Sequence, residues 1–204
     1  MRRGYGIENE KVAIVPLSYR EDHYDARIQK EPFCLFAGTM TQPRKNVPNL
    51  IRAARKYNFL LKLVGNKGNA ESEAKLRQFI GDAQNIEILG FVSDEELMSL
   101  YNRAKVFALP SLNEGVGLVA LEAAIHGGDI VITKLGGLKE YYEYGTVQLV
   151  DPHSVDDIGK AVLRAFDDTT NQPKLRNGLI SRYNVSACVD RLVLEYQKVK
   201  DGKV

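Results

Sequence analysis

From residue 33 onward, short apolar runs alternate with segments whose apolar residues recur at helical spacing, and few architectures accept that alternation. The candidate strands are Phe33–Ala37, Leu60–Val64, Ile86–Leu89, Val106–Leu109, Ile130–Thr133 and Val147–Val150. Strands separated by helices imply βαβ units, so the expectation is an α/β fold with a doubly wound, six-stranded parallel sheet of the Rossmann-like kind. Asn46 ahead of Pro48 is expected to cap the first helix, and Ser93 with Glu96 forms a capping box before Leu97 and Leu100. Ser154 with Asp157 repeats that logic before Ile158, Val162 and Phe166. Beyond about Pro173 only two helical stretches remain, the last from Ser186 to about Val199, with Val189, Leu192, Val193 and Tyr196 on one face. The chain thus divides into residues 1–32, a segment with one short apolar run; 33–172, the Rossmann-like domain; and 173–204, C-terminal helices packing on it. Neither an internal repeat nor a low-complexity tract is present.

Charge excludes one class of partner. Lys and Arg number 28 against 26 Asp and Glu, so no global field draws the 204-residue chain to nucleic acid. No apolar run approaches the roughly 20 residues of a membrane span. Cys34, in a strand, and Cys188, in a helix, read as buried thiols of a reducing compartment. Met1-Arg2-Arg3 leads into Gly4-Tyr5-Gly6 and not into an apolar region, so a cytoplasmic location is expected.

The chemistry concentrates in Pro110-Ser111-Leu112-Asn113-Glu114-Gly115-Val116-Gly117-Leu118-Val119-Ala120-Leu121-Glu122, which runs from a strand through a glycine-bearing loop into a helix. The first amides of a helix are unpaired and carry partial positive charge, and glycines let an anion approach them, so this junction suits a phosphate. Glu114 and Glu122 would repel that phosphate unless each holds something else, and sugar hydroxyls are the natural candidates. In a sheet of order 3-2-1-4-5-6 the loops after strands 1 and 4, Gly38–Lys45 and Pro110–Gly117, meet at the topological switch point. Arg44, Lys45 and the amides from Gly115 to Leu118 are then the groups available to stabilise a departing diphosphate.

Two glutamates separated by seven residues within Pro-Ser-x-x-Glu-Gly-x-Gly-Leu-x-x-x-Glu-Ala resemble the signature of the retaining GT-B glycosyltransferases of the large group 1 (family 4) class. Phe36-Ala37-Gly38-Thr39-Met40-Thr41-Gln42-Pro43-Arg44-Lys45-Asn46 is similar to that family's first strand and basic loop. Leu63-Val64-Gly65, Leu89-Gly90-Phe91-Val92-Ser93 and Gly136-Gly137-Leu138-Lys139-Glu140 follow in the family's order, so the likeness covers roughly residues 30–152. The resemblance implies a donor-binding C-terminal domain that uses a UDP- or GDP-linked sugar as substrate, with no cofactor and no metal, cations and a helix terminus standing in for the divalent ion. It implies that Glu114 meets the donor sugar near the reacting carbon, with Lys45 and Arg44 on the phosphates. Glu122 takes the ribose hydroxyls. Gly38, Thr39, Gly65, Asn66, Phe91, Val92, Gly115, Val116, Gly117 and Leu118 complete the binding set. It further implies that residues 1–32 are an interdomain crossover and that an N-terminal acceptor domain, serving a saccharide or lipid-linked acceptor, is missing. Peripheral association with the inner membrane face would come through that missing half.

Thr39 stands where the family often has Arg, Val116 where it often has an aromatic residue, and Asp129 where it commonly has a proline before strand 5, a change expected to matter for the turn and little for chemistry. On their own terms, Glu122 also fits an ordinary helix surface, and Arg44 and Lys45 fit solvated loop charges. His126 reads as a helix C-terminal dipole partner. His23 and His153 read as structural or solvent-facing, and Tyr141, Tyr142 and Tyr144 as packing against a neighbouring domain. Two rival functions are a non-catalytic nucleotide-sugar-binding module acting with a separate chain, and a nicotinamide enzyme. The latter needs Gly-x-Gly-x-x-Gly after strand 1, where only Gly38 is found.

Overall fold

The computed structural model describes residues 12–19, 24–142, 147–168 and 171–202. Six parallel strands, β1 (Glu31–Ala37), β2 (Leu60–Val64), β3 (Ile86–Gly90), β4 (Ala104–Leu109), β5 (Asp129–Thr133) and β6 (Gln148–Val150), form one sheet in the order β3-β2-β1-β4-β5-β6. This is the expected doubly wound sheet, with strand ends within two residues of those read from the sequence. Phe33 to Ala37 and all of β5 are buried, because a central parallel strand is covered on both faces.

The strands alternate with α1 (Val47–Tyr57), α2 (Ala70–Ile80), α3 (Asp94–Arg103) and α4 (Leu118–Ile125); α5 (Val155–Asp167), α6 (Asn171–Tyr183) and α7 (Val185–Lys200) follow. Helix α1 packs on α2 and α5, and α4 packs on α3 and α6. Gly159 lets α1 and α5 approach closely, since a Cβ there would lie 2.1 Å from the Tyr57 ring. The Ser93 hydroxyl accepts from the Glu96 amide and that of Ser154 from the Asp157 amide, as the sequence pattern requires.

Three expectations are corrected. The Asn46 side chain does not cap α1: Asn46 is left-handed, at φ 58°, and its amide reaches away from the helix. Asp129 is the first residue of β5 and is buried in an ion pair with Lys105, at 2.5 Å, and in a bond from Gln172 of 2.6 Å, so its part is in the core and not in a turn. Tyr142 is buried in the chain's own core and so is not available to a neighbouring domain, while the half-buried Tyr141 ring packs at 4.9 Å on Tyr183 of α6. Tyr144 and His23 lie outside the described residues, while His153 is exposed. Helix α7 turns Cys188 inward and leaves Val185, Val189, Leu192, Val193, Tyr196 and Val199 exposed. Among the described residues, no helix is long and apolar enough to cross a membrane.

Candidate active site

β1 and β4 are neighbours, Cys34 opposite Val106 and Leu35 opposite Phe107, so the loops that leave them emerge side by side at the carboxyl edge of the sheet. A backbone bond joins the loops, from the Leu112 amide to the Arg44 carbonyl at 2.7 Å. The β1 loop closes in a 3-10 turn, Pro43–Lys45, and Asn46 then anchors it. The Asn46 amide group donates to the carbonyls of Pro110, at 2.9 Å, and Pro152, at 2.7 Å, tying together the chain beyond β1, β4 and β6. These bonds use only the donors of the amide; the cap is lost because Asn46 is left-handed and not in the extended conformation from which a side-chain oxygen accepts from the first turn.

This bracing sets Lys45 against Glu114. Lys45 Nζ donates to Glu114 Oε2 at 2.7 Å, Ser111 Oγ donates to the same oxygen at 3.2 Å, and Arg44 Nη1 lies 3.3 Å from both carboxylate oxygens. Lys45 and Glu114 are buried, whereas Arg44 is about half exposed. Burial by itself would raise the Glu114 pKa. The Lys45 hydrogen bond and charge, the Arg44 charge and the Ser111 hydroxyl outweigh it, and the carboxyl is held below its ordinary value. Glu114 is therefore an ionised acceptor at neutral pH.

Two glycine contacts fix the surrounding loops. A Cβ on Gly136 would lie 2.3 Å from the Glu114 carbonyl oxygen, which also accepts from the Gly137 amide at 3.2 Å. The Gly136–Gly137 backbone is thus laid directly on the loop that carries the glutamate. Across the sheet, a Cβ on Gly65 would lie 2.3 Å from the Gly38 carbonyl oxygen. The Asn66 carbonyl accepts from the Met40 amide at 2.8 Å, which joins the β1 and β2 loops beside Thr39. Gly117 is the left-handed residue before α4, and no side chain caps that helix N-terminus. Gly115 is exposed with open space around it, Leu118 is exposed, and Val116 is half-buried. After β3, Phe91 is 78% exposed and Val92 half-buried. Glu122, on α4, accepts a hydrogen bond from the buried Tyr101 hydroxyl at 3.1 Å.

The structure therefore brings Arg44, Lys45 and Glu114 into contact and gathers Gly38, Thr39, Gly65 and Asn66 beside them. Ser111 and Tyr101 are additions. Ser111 carried a signal, as the residue after proline in the motif. Tyr101 carried none, because it reads as a core aromatic of α3. Among the described residues no group of three or more His, Cys, Asp or Glu is arranged to hold a metal ion.

A Rossmann-like sheet carrying a basic loop, a buried carboxylate and an uncapped helix terminus at its switch point defines the class of one half of a GT-B glycosyltransferase. The sequence profile of the family described as glycosyl transferases group 1 matches residues 19–182, and the chain belongs to that family. It is 33% identical over 143 residues to an uncharacterised glycosyltransferase of Methanocaldococcus jannaschii, covering 68% of this chain and 36% of that protein. It is 34% identical over 144 residues to O-antigen chain mannosyltransferase B of Escherichia coli, covering 67% of this chain and 37% of the enzyme. In fold it is similar to sucrose-phosphate synthase from Thermosynechococcus elongatus, with a TM-score of 0.75 at 23% identity over 92% of this chain and 52% of that one. An Anabaena protein solved with UDP and glucose gives 0.69 at 22% identity, over 81% and 48%. The chain spans little more than a third of these curated relatives and about half of these solved structures.

Proposed function

We propose that this chain is the donor-binding half of a nucleotide-sugar-dependent glycosyltransferase that moves a hexosyl group to a saccharide or lipid-linked acceptor. One observation carries the reading: an ionised, buried Glu114 clasped by Lys45 and Arg44 beside the uncapped start of α4. In this reading the donor diphosphate lies between the two cations and the amides from Gly115 to Leu118, which stabilise negative charge as the glycosidic bond breaks. Glu114 accepts from the sugar hydroxyls, Glu122 from the ribose, and the base lies along Gly65, Asn66, Phe91 and Val92. Lys45 and Arg44 do the work of a divalent ion, and the configuration at the anomeric carbon is retained, as the family signature implies. The acceptor site belongs to a further domain, as the greater length of the relatives supports, and that domain brings any contact with the inner membrane face.

Calorimetry with UDP and GDP, and with their glucose and mannose conjugates, tests this in EDTA and in magnesium. Binding that is equal in both buffers, and lost in K45A, is the expected result. No binding of any of the four, or binding only with magnesium, would defeat the proposal.

A further inference from the structure

Tyr101 lies in the last turn of α3 and is fully buried, with its ring held on two sides. Phe107 of β4 lies 6.0 Å from it at 55°, and His126, the residue after α4, stacks at 5.6 Å and 30°. Its carbonyl accepts from Lys30 Nζ at 3.2 Å, and the same ammonium donates to the His126 carbonyl at 2.6 Å, so one cation ties the ends of α3 and α4 together. His126 returns to the helix through Nδ1, which lies 2.8 Å from the Glu122 carbonyl. The two ring contacts hold the phenol so that its hydroxyl donates to Glu122 Oε2.

We propose that Tyr101 is the positioning residue for Glu122, orienting its carboxylate toward the ribose hydroxyls of the donor and so setting the preference of this site for a ribonucleotide. The inference rests on the functional reading above, in which Glu122 meets the ribose. A glutamate on a helix surface samples several rotamers, and freezing them on binding weakens the complex. A buried phenol that donates to one carboxylate oxygen removes that freedom beforehand. Burial, with the Glu122 charge, also raises the phenol far above its ordinary pKa, so it remains a donor throughout the working range.

The test is a pair of isosteric variants, Y101F and E122Q, alone and combined. Each is titrated calorimetrically with whichever of UDP or GDP the parent chain binds more tightly, and with its 2′,3′-dideoxy analogue. Y101F keeps the ring contacts, and a thermal melt verifies the fold. The expected result is a loss of about tenfold for the ribonucleotide in Y101F, the scale of one hydrogen bond to a charged group, with the dideoxy analogue unchanged. In the E122Q background Y101F should then add nothing. Equal losses for both ligands in Y101F would assign the phenol to packing alone and overturn the proposal, as would a Y101F protein that binds like the parent. If E122Q itself fails to discriminate the two ligands, the ribose reading of Glu122 falls, and the role of Tyr101 with it.

Discussion

Lys45 Nζ and Glu114 Oε2 lie 2.7 Å apart with side chains only 10% and 9% exposed, so the cation and the anion of the candidate site hold each other out of water. Removing one member of such a pair leaves the other desolvated, although Arg44 and Ser111 still face Glu114. K45M should therefore lower the unfolding free energy by about 2–3 kcal/mol, less than an unaided buried pair would show. Urea denaturation at neutral pH measures it, and a change below about 0.5 kcal/mol, the range of ordinary surface substitutions, would mean that the pair is not buried in solution.

Glu114 and Asp129 should bend the pH profile in opposite directions. The Glu114 pKa lies below its ordinary 4.5 in the folded chain, so its contribution is present above that pH and lost as pH falls through the folded value. The Asp129 pKa lies above its ordinary 3.8, chiefly through burial, which the bonds from Lys105 and Gln172 only partly offset. Its contribution is present below 3.8 and lost as pH rises through the folded value. Denaturation series from pH 7 downward should show E114Q losing less stability in acid than the parent, and D129N losing more. The same slope in all three proteins would contradict both assignments.

Asn46 makes a sharper mechanical test. N46A removes two donors from buried carbonyl partners and places alanine at φ 58°, for a cost of about 2–4 kcal/mol. N46G relieves the backbone but not the lost bonds, and should recover only part of that. If N46G were as stable as the parent, the bonds to Pro110 and Pro152 would carry no weight.

Gly65 and Gly115 separate folding from binding. G65A must displace the Gly38 carbonyl, 2.3 Å from the new Cβ, at φ 115°, and should destabilise the chain by at least ~1 kcal/mol. G115A meets nothing within 4 Å and should melt like the parent while weakening nucleotide diphosphate, because the new methyl would stand where the proposed function brings the anion to the backbone. Unchanged affinity in G115A would move the phosphates elsewhere.

The sheet could be read from the sequence because central parallel strands are apolar on both faces, and runs such as Phe33–Ala37 and Ile130–Thr133 leave no other reading. The meeting of Lys45 with Glu114 followed from strand order, since β1 and β4 must adjoin at the switch point. What escaped was decided by tertiary geometry. An asparagine before a helix is ordinarily a cap, but the left-handed turn at Asn46 aims its amide at two distant carbonyls. Asp129 looked like a turn residue because nothing nearby in sequence announces Lys105 and Gln172, which arrive from other elements. Tyr101 has the helical spacing of a core residue and is one, and its hydroxyl gains meaning only once α4 is laid against it.

Phe91, exposed just beyond β3, has a practical consequence. The 204-residue chain contains no tryptophan, and its fluorescence is that of 10 scattered tyrosines. Phe91 is 78% exposed and forms no part of the buried core, so the larger indole can replace it without repacking the interior. An F91W chain would hold a single long-wavelength fluorophore just beyond β3, where the proposed function puts the base. Its emission would shift when a base covers it and stay still otherwise, giving a direct optical count of occupied molecules.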